Sequence, residues 1–425
     1  MSSLDMATPG SPWQTWGLVA VWVWVYVGMF LGGMPRLQLD RAGVALLGAV
    51  AMMGLTGLSA QEAAGMVDWT TLALLFAFML ISGQLRLAGF YTHITTRMAG
   101  RPLSPPQLMA ALIATAAGLS ALFTNDVVCL AMTPVLVHVC VQRRLDPVPY
   151  LLALACAANI GSAATLIGNP QNMLIGSVLG LPFASYSLQA LPPVVVSLGL
   201  LWAWLVLPGR LDLAEPQPPT ARTPAPPGSN EPPYDARQTR KGLLVVAWVL
   251  MLLLFSDWPH ALVALLGAAA VLVSRRVASA RVLGHVDWSL LVLFIGLFVV
   301  NAAVSATGVP AALMHALTDA GFSLSSPGVL MTGGVVLSNV VSNVPAVMLI
   351  LPHLAEAPAS AGALLALSTT FAGNLLLVGS IANLIVADMA ARHGVCIDWR
   401  RHMKVGVPVT LGSMSVLWLW VWVVP

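Results

Sequence analysis

Two stretches decide how this chain folds: VDWTTLALLFAFMLISGQLRLAG at residues 67–89 and VDWSLLVLFIGLFVVNAAVSATG at residues 286–308. Both open on Val-Asp-Trp, run on as an apolar segment and close on glycine, with Leu72 matching Leu291, Leu74 matching Leu293 and Gly89 matching Gly308 at one spacing of 219 residues. The chain therefore reads as two copies of one membrane unit. The loop before the first copy is acidic (Glu62, Asp68) with no Lys or Arg, whereas the loop before the second carries Arg275, Arg276 and Arg281. If basic loops stay in the cytoplasm, the two copies are inserted upside down relative to each other.

Composition agrees. With 58% hydrophobic and 8% charged residues and a mean hydropathy of +0.87, the 425 residues hold more apolar surface than a soluble core could hide, and apolar runs near 20 residues recur. An all-α polytopic membrane protein is expected, in the bacterial inner membrane, with the lipid bilayer as its partner. The run from Gly17 to Gly33 lacks a basic leader and an Ala-x-Ala site, so it reads as a retained span. The net charge of +3 comes from short loops and implies no nucleic-acid partner. Cys129, Cys140, Cys156 and Cys396 form no CxxC pair and read as structural, so no cofactor and no metal beyond a coupling Na+ is expected.

The clearest boundary is the stretch 208–241, with nine prolines and Arg210, Arg222, Arg237, Arg240 and Lys241, read as a cytoplasmic linker. It separates a first inverted repeat, 1–207, from a second, 242–425. In the first, spans are expected at about 15–33, 42–58, 69–86 and 190–207, with a hairpin at 106–141 and a broken helix at 149–178. The second repeats the order at about 242–256, 260–273, 288–306 and 406–424, with a hairpin at 327–352 and a broken helix at 363–388. Five spans plus a hairpin is an odd count, which inverts the second copy. With both termini outside, all 19 Lys and Arg, from Arg36 to Lys404, fall on the cytoplasmic face. Parity leaves open whether each hairpin is re-entrant or two full spans; the polar turn Thr124-Asn125-Asp126 favours re-entry. Segments 88–101 and 309–320 read as interfacial, and Trp13, Trp16, Trp22, Trp24, Trp418, Trp420 and Trp422 as anchors at the interface or facing lipid.

Polar residues interrupt the apolar segments in two matched pairs. Thr124-Asn125-Asp126 and Ser342-Asn343-Val344-Pro345 sit at the hairpin tips. Asn159-Ile160-Gly161-Ser162 through Gly168-Asn169-Pro170-Gln171-Asn172 stands against Gly373-Asn374 through Gly379-Ser380-Ile381-Ala382-Asn383. Gly168 and Pro170 argue against a continuous helix, and non-helical backbone persists at membrane depth only where protein or a watery cavity satisfies it. A broken helix offers amide donors at one new end, suited to an anion, and carbonyls at the other, suited with Asn oxygens to Na+. Two plainer readings stand beside this one: Asn125 or Asp126 as a helix cap, and Gly168-Asn169-Pro170 as an ordinary kink. Thr115, Ser120, Asn301 and Ser305 read as helix-packing residues. Asp126 is the most informative side chain, because burial favours its neutral form and a proton-carrying role, while bound Na+ favours its charged form. Asp388 and His138 are weaker candidates nearer the cytoplasmic ends.

At these motifs, FTNDVVCLAMTPV, NIGSAATLIGNPQNMLIG, LSNVVSNVPAVMLILP and GNLLLVGSIANLIV, the chain resembles the ion-transporter superfamily of divalent-anion/sodium symporters, citrate-transporter-like permeases and arsenite permeases. The Gly-Asn-Pro-Gln-Asn run most resembles the putative anion permeases. The resemblance implies that Ser-Asn-Thr motifs at hairpin tips hold substrate and Na+ in a domain that moves as an elevator, in a protein that is often a homodimer. Carried onto this sequence, substrate contacts fall on Thr124, Asn125, Asp126, Gly168, Asn169, Asn172, Ser342, Asn343, Gly379, Ser380 and Asn383. The coupling ion falls on Asn125, Asp126, Asn159, Asn343 and Asn374. Asp126 and Val344 stand where the symporters have Thr, and Asp after Asn looks more like the arsenite permeases and the broader putative anion permeases.

The expected function is secondary active transport of a small anionic solute, an inorganic oxyanion or a carboxylate, coupled to Na+ or H+. Arsenite or antimonite efflux, or Na+/H+ exchange, is the alternative. An intramembrane enzyme is disfavoured, since no His-Glu-x-x-His, Gly-x-Ser-x-Gly or paired intramembrane acid occurs.

Overall fold

Asp68 and Asp287 start the same helix twice. In the computed structural model, which describes residues 12–34, 37–207, 232–354 and 359–423, the Asp68 carboxylate accepts from the Thr71 amide and the Asp287 carboxylate from the Leu290 amide, each at 3.0 Å. These caps satisfy amides that the first turn leaves free. Gly89 and Gly308 then reverse the chain with φ of +67° and +72°, a conformation glycine adopts without penalty.

Ten helices in each half follow one order among the described residues. The first half comprises α1 (Pro12–Leu31), α2 (Arg41–Thr56), α3 (Ala60–Gly65), α4 (Trp69–Leu87), α5 (Phe90–Ala99), α6 (Pro105–Leu122), α7 (Asn125–Gln142), α8 (Pro147–Ser162), α9 (Pro170–Val178) and α10 (Phe183–Val206). The second comprises α11 (Ala236–Phe255), α12 (His260–Leu272), α13 (Ser279–Leu283), α14 (Trp288–Ser305), α15 (Val309–Asp319), α16 (Pro327–Val341), α17 (Asn343–Ile350), α18 (Ala359–Ala372), α19 (Ile381–Arg392) and α20 (Trp399–Val423). A two-residue antiparallel pair, β1 (Gly33–Met34) with β2 (Leu39–Asp40), joins α1 to α2. Eight of the helices are long and apolar enough to cross a membrane.

The starts of α11 and α20 differ from the expectation for one reason: hydropathy does not see a polar first turn. α11 begins at Ala236, inside the stretch read as linker, because Asp235 Oδ1 accepts from the amides of Arg237 (2.9 Å) and Gln238 (3.1 Å). α20 begins at Trp399 behind Asp398, whose carboxylate accepts from the Arg401 amide (2.6 Å), and α10 begins at Phe183 rather than 190. The short α3 and α13 were also illegible; α3 is held by a capping box in which Ser59 and Glu62 bond each other's amides. Arg36, Arg210 and Arg222, used in assigning the basic face, lie outside the described residues.

Packing repeats the internal symmetry. α2 lies against α14 and α4 against α12, so each half lends the same two helices to the other. At the first crossing a Cβ on Gly296 would stand 2.6 Å from the Ala45 backbone, so only glycine permits the approach. α1, α2, α4, α11, α12 and α14 form one packed group; α6 to α10 with α16 to α20 form another, and α5 and α15 lead from the first into the second. α8 is at the centre: all 16 residues from Pro147 to Ser162 are buried, which its all-round apolar surface requires. Trp22 is a partial exception to the anchor reading. Its Nε1 donates to Asn301 Oδ1 (3.2 Å), which also accepts from Tyr26 Oη (3.0 Å), so it secures α1 to α14, while Trp13, Trp16 and Trp422 are exposed.

Candidate functional site

The chain between α8 and α9 leaves helical conformation over residues 163–169, and between α18 and α19 over 373–380, apart from a 3-10 turn at 377–379. Each break is closed by the same device. Asn169 Oδ1 accepts from the Asn172 amide (2.9 Å) to start α9, and Ser380 Oγ accepts from the Ala382 amide (3.2 Å) to start α19. Asn172 Nδ2 then reaches back to the carbonyls of Thr165 (3.0 Å) and Ser162 (3.4 Å), and Asn383 Nδ2 to those of Leu376 (3.2 Å) and Gly373 (2.8 Å). Carbonyls orphaned by the break thus find donors seven and ten residues onward in both halves.

This equivalence fixes the register at 211 residues and corrects one pairing. The sequence reading set Asn159 through Ser162 against Gly373-Asn374; in space the counterpart of Asn159 is Thr370, and that of Asn374 is Ala163. The hydrogen bonds show it. Asn159 Nδ2 donates to Asn383 Oδ1 (3.0 Å) and Thr370 Oγ1 to Asn172 Oδ1 (3.4 Å); Ser380 Oγ donates to Asn159 Oδ1 (2.9 Å) and Asn169 Nδ2 to Thr370 Oγ1 (3.3 Å). Each half's buried polar residue before the break is held by the other half's residues after it.

Asn159 is the hub. Its Oδ1 accepts from Ser380 and from Asn125 Nδ2 (3.1 Å), and its Nδ2 donates to Asn383 and to Asn374 Oδ1 (3.0 Å), which uses all four hydrogen-bonding positions of an amide. Thr370 gathers Asn169, Gln171 Nε2 (3.2 Å) and Asn172. All of these side chains are buried, and none is charged.

The hairpin tips meet this cluster at the breaks. Thr124, not Asn125 or Asp126, is the cap residue of α7; the Asn125 amide donates to the Gly168 carbonyl (3.2 Å) while its side chain turns to Asn159. The first tip therefore lies level with the middle of the broken helix, although α6 and α7 are each long enough to span. Gly168 admits no side chain, since a Cβ would overlap the Ser162 carbonyl and stand 2.7 Å from that of Ser120. Asp126 is half-buried, makes no hydrogen bond or ion pair among the described residues, and lies within electrostatic range of Asp287.

The second tip is built differently. Ser342 closes α16 and opens α17 at φ +77°, ψ +160°, a region that is essentially glycine's. Asn343 Oδ1 is buried without a hydrogen bond, and its Nδ2 faces Gly373, where a Cβ would stand 3.3 Å away. Sequence reasoning missed Asn339, whose Nδ2 donates to the Ala372 carbonyl (3.1 Å) and whose unpartnered Oδ1 would stand 2.8 Å from a Cβ on Gly379. The signal was present: Ser-Asn occurs twice in LSNVVSN, one helical turn apart. Thr370, Tyr186 and His402 were missed too. Asp388 forms an exposed ion pair with Arg392 (2.7 Å).

Residues 19–372 match the family model described as citrate transporter. The silicon efflux transporter LSI3 of Oryza sativa subsp. japonica is 31% identical over 96% of this chain and 97% of its own length. The inner membrane protein YbiR of Escherichia coli is 30% identical over 82% and 87%. The crystal structure of the Alcanivorax borkumensis YdaH transporter superposes with a TM-score of 0.57 at 16% identity, covering 97% of this chain and 98% of that one, which establishes likeness of fold. The chain is a multi-pass membrane transporter, not an enzyme, and belongs to the citrate transporter family.

Proposed function

We propose that this transporter carries a small oxyanion, or its neutral oxoacid, through the junction of the two broken helices and two hairpin tips. The observation that carries the reading is the buried cluster around Asn159 and Thr370, made of amides and hydroxyls with no basic side chain. Amide N–H and C=O groups exchange hydrogen bonds with the oxo and hydroxyl groups of such a solute, and freed backbone amides at α9 and α19 supply a positive dipole end where charge must be met. The likeness to a silicon efflux transporter over almost the whole chain supports an oxoacid over a larger carboxylate. The absence of Thr after Asn125 and Asn343 supports it too.

Coupling falls to two features. Asp126, ionisable and without a partner among the described residues, suits a proton. The unpartnered oxygens of Asn339 and Asn343 suit Na+, which takes such ligands. The two packed groups of helices, joined through α5 and α15, suit an elevator in which the hairpins and broken helices move against the remainder, with the halves inserted in opposite senses. The test is uptake and counterflow in proteoliposomes against silicic acid, arsenite, phosphate, sulfate, citrate and succinate, with Na+ and pH gradients imposed separately. Saturable flux of an inorganic member bears the proposal out; flux of the carboxylates citrate and succinate alone overturns it.

A further inference from the structure

In the first half, Tyr186 of α10 donates its hydroxyl to the Ala163 carbonyl (2.8 Å) and accepts from Asn172 Nδ2 (3.0 Å). In the second, His402 of α20 places Nε2 at 3.0 Å from the Asn374 carbonyl. Ala163 and Asn374 are related by the same 211-residue register as Asn172 and Asn383, so these are one carbonyl met twice, freed where a helix breaks in the interior. Such a carbonyl requires a donor. We propose that His402 is a positioning residue of the second broken helix, pinning the Asn374 peptide as Tyr186 pins that of Ala163.

Three further observations support the assignment. Gly406, one turn beyond His402, lies so close to the Asn374 carbonyl that a Cβ there would overlap it, so the peptide rests on bare helix backbone beneath the imidazole. The carbonyl can only accept, so the proton of this contact sits on Nε2, and Nδ1 is buried with no hydrogen bond among the described residues. His402 itself is 1% exposed, and the elements packed most closely on α20, namely α8, α10, α18 and the turn 377–379, bring only Tyr150, Cys156 and Tyr186 as titratable groups. Among the described residues the imidazole has the Asn374 carbonyl as its one hydrogen-bond partner. Because the Asn374 side chain accepts from the hub Asn159, pinning its peptide also sets the amide that faces the cluster.

The inference concerns the backbone of the break, and its test involves no solute, so it stands or falls apart from the proposed function. Hydrogen–deuterium exchange is measured on the full chain in nanodiscs, for wild type, His402→Leu, His402→Gln and Tyr186→Phe. Glutamine keeps an N–H at about the reach of Nε2; leucine keeps bulk alone. His402→Leu raises exchange over residues 373–380 about tenfold, the equivalent of about 1.4 kcal/mol of local opening, and leaves 163–169 unchanged. Tyr186→Phe does the reverse, and His402→Gln stays within about twofold of wild type. Wild-type exchange in His402→Leu overturns the proposal, as does equal opening in His402→Gln, which would make the residue a packing element. If the leucine variant does not fold, His402→Asn replaces it: its shorter amide cannot reach the carbonyl, so it must open 373–380 where glutamine does not, and equal behaviour of the two overturns the assignment.

Discussion

Asn159→Ala removes the side chain that, alone among the described residues, ties both broken helices and the first hairpin tip together. Four hydrogen bonds are lost, to Asn125, Ser380, Asn374 and Asn383, at 2.9 to 3.1 Å. Polar contacts between membrane helices average near 0.6 kcal/mol with a ceiling near 1.7, so four of them give about 2.4 kcal/mol, and alanine leaves no group to replace them. The mirror substitution Thr370→Val removes three longer contacts, 3.2 to 3.4 Å, and by the same reasoning loses about 1 to 2 kcal/mol while keeping volume. Equilibrium unfolding in SDS-containing mixed micelles measures both. The expected order is Asn159→Ala below Thr370→Val below wild type. An Asn159→Ala protein within about 0.5 kcal/mol of wild type, or less stable Thr370→Val than Asn159→Ala, refutes the reading of Asn159 as the hub of the junction.

Other consequences are as specific. Asp126→Asn should flatten the pH dependence of proteoliposome flux while leaving counterflow intact, because it removes the one partnerless acid at a tip; a wild-type profile would exclude Asp126 from coupling. Ser342→Gly should hold or raise the unfolding midpoint, since it relieves backbone strain of about 1 to 3 kcal/mol, and it should alter the transport rate if that strain belongs to the moving tip. Gly168→Ala should lose about 1 to 3 kcal/mol or more in the same unfolding assay, whereas Gly118→Ala, where a Cβ meets nothing within 4 Å, should be neutral or slightly stabilising.

The internal repeat was legible because its marks are local: a capping Asp before Trp, a glycine where the chain must reverse, an apolar run of fixed length between them. The breaks were legible because Gly168, Pro170 and clustered amides cannot sit in an uninterrupted apolar helix. What escaped was relational. Thr370 is an unremarked Thr inside an apolar helix until the register of 211 places it opposite Asn169 and Asn172, and the matching asparagines at 159 and 374 invite a different alignment. Tyr186 and His402 escaped for a similar reason, since a phenol and an imidazole that meet equivalent carbonyls share neither a letter nor a register position in the sequence. The polar first turns of α11 and α20 were hidden by their own hydrophilicity, although Asp235 and Asp398 announced them as caps.

Flux through the hairpin tips tests the central claim most directly. In proteoliposomes, with the solute that wild type carries, Asn125→Ala and Asn343→Ala should each lose saturable transport while remaining folded and membrane-inserted, because each removes an amide from the junction where the two halves meet. Wild-type flux in both variants would place the transport site elsewhere in the molecule.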